Sequence, residues 1–195
     1  MKYKLGVKEI IVCISGALIF MLLTMLKNEF YPFGITSNVG DYFNASLGSL
    51  AVIAAMFGPV CGGIVGLSGA MMADVMQAGR IYTVDVASAC IFGVFIGLFE
   101  EKFLVWQGEF RMRQFVDYTC VTILAGIMNW IMLCPLVAFF TMNCNLLFTL
   151  MRGCKVMAGS TFFAMVFGAI VMSVVSRYRH KKMATVDYMI RKHLQ

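Results

Sequence analysis

The chain reads as an all-α integral membrane protein, a compact single-domain bundle of six transmembrane helices with both termini cytoplasmic. Three observations predict this. First, 61% of the 195 residues are hydrophobic and 13% charged, against the roughly one quarter charged of soluble domains, and the mean hydropathy is +0.84. Second, the stretches 10–26, 42–73, 86–99, 118–151 and 156–176 contain no Asp, Glu, Lys or Arg. A span takes about 20 apolar residues, and two of these stretches have room for a span plus a turn or loop. Third, the basic residues are lopsided. With a cytoplasmic N-terminus, Lys2, Lys4, Lys8, Lys102, Arg111, Arg113, Arg177, Arg179, Lys181, Lys182, Arg191 and Lys192 lie inside, and Lys27, Arg80, Arg152 and Lys155 outside. Twelve against four is a positive-inside bias, and two cytoplasmic ends require an even number of spans.

The first span is expected at 9–26. No A-x-A site follows its apolar core, so it reads as a retained helix. Its small stretch Cys13-Ile14-Ser15-Gly16-Ala17 suits either docking of another membrane helix or packing within the bundle. Loop 27–45, KNEFYPFGITSNVGDYFNA, mixes Phe30, Tyr31, Phe33, Tyr42 and Phe43 with Asn38, Asp41 and Asn44. That composition fits a surface that stacks on a planar ligand and bonds its edges, or an interfacial aromatic belt. Gly34 and Gly40 would let it hinge as a lid.

The second span (44–57) and third (59–77) are separated by Phe57-Gly58-Pro59, with proline at the first position of the new helix. In the third span Gly58, Gly62, Gly66 and Ala70 recur every four residues, on one helix face, and the next step is Asp74. Such a ladder lets a neighbouring backbone approach closely in lipid. Asp74 either snorkels to the outer interface or faces a ligand. The connection QAGRIYTVD adds Arg80, Tyr82 and Asp85 before a fourth span at 83–100.

A fifth span at 116–140 carries Asn129 and Trp130, the amide either bonding a neighbouring helix or lining a cavity. The connection TMNCNLLFTLMRGCK adds Asn143, Asn145, Arg152 and Lys155 before a sixth span at 155–177 and a basic cytoplasmic tail over 178–195. The three outer connections and several helix ends thus gather polar groups on one side of the membrane, as a ligand site open to the outside would.

Other classes lack their signatures. There is no G-x-x-x-x-G-K-[ST], H-E-x-x-H or G-x-S-x-G, and the two histidines, His180 and His193, lie in the tail, so no enzyme is expected. The seven cysteines form no C-x-x-C pair, so neither a metal nor another cofactor is expected. The positive charge belongs to the inner membrane surface, not to nucleic acid. No pair of matching interrupted halves marks a secondary transporter.

The stretch AAMFGPVCGGIVGLSGAMMAD, with FGPVxGxxxGxxG its specific segment, resembles the substrate-binding membrane (S) components of energy-coupling factor (ECF) transporters. YPFGIT, ASACIFGVFIGLFEEKF, NWIMLCP and KVMAGS are similar to the riboflavin-type or uncharacterised branch, and the likeness covers most of 8–178. The resemblance implies a subunit in a prokaryotic plasma membrane that captures riboflavin or another vitamin at the outer face. It implies docking on a membrane coupling (T) component with two ABC ATPases, then toppling to release the cargo inside. The matching docking positions on the first helix are Cys13 and Ala17. Candidate substrate contacts are Asn38, Asp41, Asn44, Asp74, Tyr82, Asp85, Asn129, Trp130 and Lys155. Ala70, where relatives often carry histidine, and Arg80, Tyr82 and Asp85, where they are often tryptophan-rich, point to a different substrate.

Overall fold

The computed structural model describes residues 6–29, 45–103, 105–108, 110–129, 147 and 159–180. Helix α1 is Val7–Glu29 and α2 is Ala45–Ala78. Then come α3, Thr83–Gly97, the short α4, Glu100–Phe103, a 3₁₀ turn at Val105–Gln107, α5, Met112–Gly126, and α6, Gly159–His180. No strand occurs among the described residues.

Helix α2 is two arms joined at Gly58, where φ is 86° and ψ −178°, followed by Pro59. Only glycine adopts that positive φ cheaply, and proline removes the next N–H. The arms turn back on each other there. A methyl at Gly62 would lie 2.7 Å from Ala54 Cβ, whereas eight residues of straight helix span about 12 Å. The break falls at Gly58, between the stretches expected as 44–57 and 59–77.

Register gives the directions. Gly16 and Gly69 place 16 beside 65 and 20 beside 69, so α1 runs parallel to the second arm. Gly62 meets Gly93 and Gly66 meets Ala89, so α3 runs antiparallel to that arm. Gly126 meets Thr161, and Gly168 meets Tyr118, so α5 and α6 are antiparallel. Neighbours in sequence thus alternate, and Val7 and His180 lie at the same end.

The glycine ladder has a partner that sequence reading passed over. Ala89, Gly93 and Gly97, again every four residues, oppose Gly66, Gly62 and the Gly58–Pro59 bond. The methyl of an alanine at 66 would lie 2.5 Å from the Ala89 carbonyl oxygen. The two backbones are in contact.

Among the described residues three helices qualify as membrane spans by length and composition, Val7–Leu26, Ala45–Ala78 and Gly159–His180. A fourth qualifies if Thr83–Gly97 and Glu100–Gln107, bent by 54°, count as one. The structure bears out an all-helical, membrane-like fold with this smaller number of qualifying spans. The expected fourth span is shorter than 83–100, ending at Gly97. The fifth starts earlier, at Met112, and its continuation beyond 129, like tail residues 181–195, lies outside the described residues.

Cys13 (6% exposed) and Ala17 (5% exposed), the expected docking positions, are buried. They lie on the face of α1 that carries Gly16, which packs against Ile53 and Val65 of α2. The outward face of α1 is Ile10, Ile11, Ile14, Leu18, Ile19 and Leu22.

One end of the bundle is clamped at the α2 turn. The Trp106 indole N–H donates to the Met56 carbonyl, which the break at Gly58 separates from its usual helical donor. Phe57 packs edge-on against that indole at 5.2 Å, and the Arg179 guanidinium lies 4.4 Å above it. Trp106→Phe keeps the aromatic contacts and orphans the carbonyl. The expected loss is about 1 kcal/mol, the low end for an unpaired acceptor because water reaches this end, readable by thermal unfolding in detergent.

Candidate functional site

The opposite end gathers Asp74, Tyr82, Ser88, Asn129, Ser160 and Thr161. The register of α2 against α3 carries Asp74, two turns beyond Gly66, to the start of α3. There the Tyr82 N–H donates to Asp74 Oδ2 at 2.8 Å. Tyr82 precedes the first turn of α3, which has no side-chain cap of its own, and a carboxylate is favoured at a helix N-terminus. Half-buried Asp74 thus fastens the hairpin between α2 and α3, which accounts for an acid at this depth without a ligand.

Tyr82 is held from its other side. Arg80 Nε donates to its hydroxyl at 2.9 Å, and the Arg80 guanidinium lies 4.8 Å from the ring centre. Asp85 is exposed in the first turn of α3. The structure therefore brings Asp74 and Tyr82 into direct contact, with Asp85 nearby on the rim. Asn38, Asp41, Asn44, Trp130 and Lys155 lie outside the described residues.

Asn129 is fully buried. Its amide nitrogen donates to the Ser88 carbonyl and to Ser88 Oγ, both at 3.0 Å, so the side chain ties α5 to α3. Of the two roles open from sequence, bonding a neighbouring helix is the one observed. The backbone reaches it through a π-type turn at 127–129. Ser88, Ser160 and Thr161, at 2%, 1% and 3% exposure, were missed from sequence. A hydroxyl within an apolar run is a weak signal, because it is readily satisfied by its own helix.

This end can offer hydrogen bonds to a solute. Among the described residues no group of three or more His, Cys, Asp and Glu is placed to hold a metal. Asp74→Asn keeps an acceptor for the Tyr82 N–H, so the fold should persist. Weakening a charged hydrogen bond to a neutral one costs about 1 kcal/mol. Asp74→Ala removes the acceptor, and its unfolding temperature should fall below that of Asp74→Asn by several degrees.

The chain is similar to curated bacterial proteins described as UPF0397 protein. That of Lactobacillus gasseri is 24% identical over 181 residues, 91% of this chain and 94% of the relative. That of Lacticaseibacillus casei is 29% identical over 131 residues, 67% and 68% of the two chains. That of Enterococcus faecalis is 27% identical over 135 residues, 69% and 71%. No family model matches, and no solved structure does. Together with the fold these relatives define a class: helical, membrane-like proteins of bacteria, similar to UPF0397 proteins.

Proposed function

We propose that this protein is the substrate-capture subunit of an ECF-type importer in a bacterial plasma membrane, binding a vitamin or related micronutrient at the outer face. The observation that carries the reading is the division of labour between the two ends. Six basic residues, Lys8, Lys102, Arg111, Arg113, Arg177 and Arg179, lie at the clamped end, and among the described residues two, Lys27 and Arg80, lie at the other. The positive-inside rule then turns the clamped end to the cytoplasm and the Asp74–Asn129 end outward. The FGPVxGxxxGxxG stretch supports the same reading, since its glycines serve close helix packing.

In this account the backbone-tight pair α2–α3 is the rigid wall, and α5 and α6 close the other side. Loop 27–45 would cover the mouth, with Asn38, Asp41 and Asn44 bonding the solute edge and its aromatics stacking on it. Asp74 and Tyr82 hold the rim, and Trp130 and Lys155 are further candidate contacts read from the sequence. Release inside requires energy that the chain has no phosphate loop to harvest, hence docking on a coupling component with two ABC ATPases.

The reading is tested by purifying the full chain from bacterial membranes in detergent and identifying what accompanies it. A bound micronutrient together with a membrane partner and two ATPases is expected. A partner without any small molecule, across a panel of vitamins, would instead indicate a membrane assembly factor.

A further inference from the structure

We infer that Ser160 and Thr161, with the Asn129–Ser88 pair, form the polar floor of the capture site and select an uncharged, hydrogen-bonding solute; this rests on the capture reading above. Ser160 Oγ and Thr161 Oγ1 are buried and have no hydrogen-bond partner among the described residues. The contrast within the molecule is plain. Ser15, Thr24, Ser49, Ser68, Thr119 and Thr122 each bond a carbonyl three or four residues earlier on their own helix. A buried hydroxyl without a partner is costly, and two adjacent ones mark a place where a partner arrives from elsewhere.

Their location links them to Asn129. A methyl at Gly126 would overlap Thr161 Oγ1, so the hydroxyl lies directly on α5 where glycine leaves room. Asn129 is three residues beyond Gly126, at the end of the turn that continues α5. The π-type turn between them, at 127–129, is a backbone feature often found at functional sites. Ser88 closes the set from α3 through its two bonds from Asn129.

The chemistry of the set fixes the solute class. Ser88, Asn129, Ser160 and Thr161 are all neutral, and each is at most 3% exposed. A carboxylate, phosphate or ammonium group seated on these four side chains would lose its hydration and meet no opposite charge among them, which disfavours an ion at the floor strongly. Hydroxyls and a carboxamide both donate and accept, and they match a neutral amide, imide or hydroxyl-bearing solute.

The test uses the full chain purified in detergent, with the small molecules it carries out of the cell as the probe, released and identified by mass spectrometry. Wild type should carry an uncharged heteroatom-rich solute. Thr161→Val, nearly isosteric, and Ser160→Ala with Thr161→Val should each retain at least tenfold less, and Thr161→Ser should restore retention. Because bound solute itself stabilises the fold, the comparison is with wild type stripped of its solute: the variants should unfold no earlier than that, since the deleted hydroxyls have no bond to lose. A retained solute bearing a carboxylate or phosphate would overturn the inference and leave the capture reading standing, as would equal retention by the variants. Unfolding temperatures of both variants below that of solute-stripped wild type would also overturn it, by showing the hydroxyls to be structural. A wild-type protein carrying no small molecule would defeat the capture reading itself, and the inference with it.

Discussion

Gly62→Val is expected to prevent assembly of the bundle. A Cβ at 62 would lie 2.5 Å from the Gly93 carbonyl oxygen and 2.7 Å from Ala54 Cβ, so it strikes α3 and the first arm of α2 together. Neither neighbour is the free end of a flexible side chain. Ordinary core overpacking costs about 1–3 kcal/mol. Here the only relief is to separate helices whose whole association depends on close approach, because lipid supplies no hydrophobic force to rejoin them. A loss of about 3 kcal/mol or more follows, the upper end of that range because backbone cannot yield. Gly63→Ala is the control: its methyl would meet Val94 Cγ2 at 2.8 Å, a side-chain end that can shift, and its cost should stay under about 1 kcal/mol. Size-exclusion monodispersity and thermal unfolding in the same detergent read both.

Asn129→Leu is expected to spare the fold and weaken capture. The two bonds it deletes join α5 to α3, yet polar contacts between membrane helices average only about 0.6 kcal/mol and reach about 1.7 at most. The bundle should therefore lose about 1 kcal/mol. Binding answers to a different comparison. A solute group left facing leucine on the polar floor is unpaired at about 1–3 kcal/mol, which corresponds to about five- to a hundredfold weaker binding. A leucine variant that unfolds several kcal/mol early while still retaining solute would mark Asn129 as purely structural.

The packing was more legible than the site. The four-residue spacing of Gly58, Gly62, Gly66 and Ala70 and the Gly58–Pro59 break are local patterns, and helix geometry alone converts them into a face and a turn. Ala89, Gly93 and Gly97 follow the same rule and were readable by it. Cys13 and Ala17 were legible only as small residues, which suit an inner face and a docking face equally; their burial beside Gly16, which meets Ile53 and Val65, is a property of the assembled helices. Asp74 was singled out as an acid near lipid, but its bond to the Tyr82 N–H depends on how α2 turns into α3. The unpaired state of Ser160 and Thr161 is a property of three helices at once, which no single stretch of sequence records.

The measurement that bears most directly on the capture account is solute movement in proteoliposomes. The cargo identified by mass spectrometry is radiolabelled and supplied outside vesicles containing this chain, either alone or with its coupling component and both ATPases. The account predicts binding without net uptake by the chain alone, and uptake only when the partners are present with ATP. Uptake down the solute gradient by the chain alone would contradict it and establish a stand-alone carrier or channel.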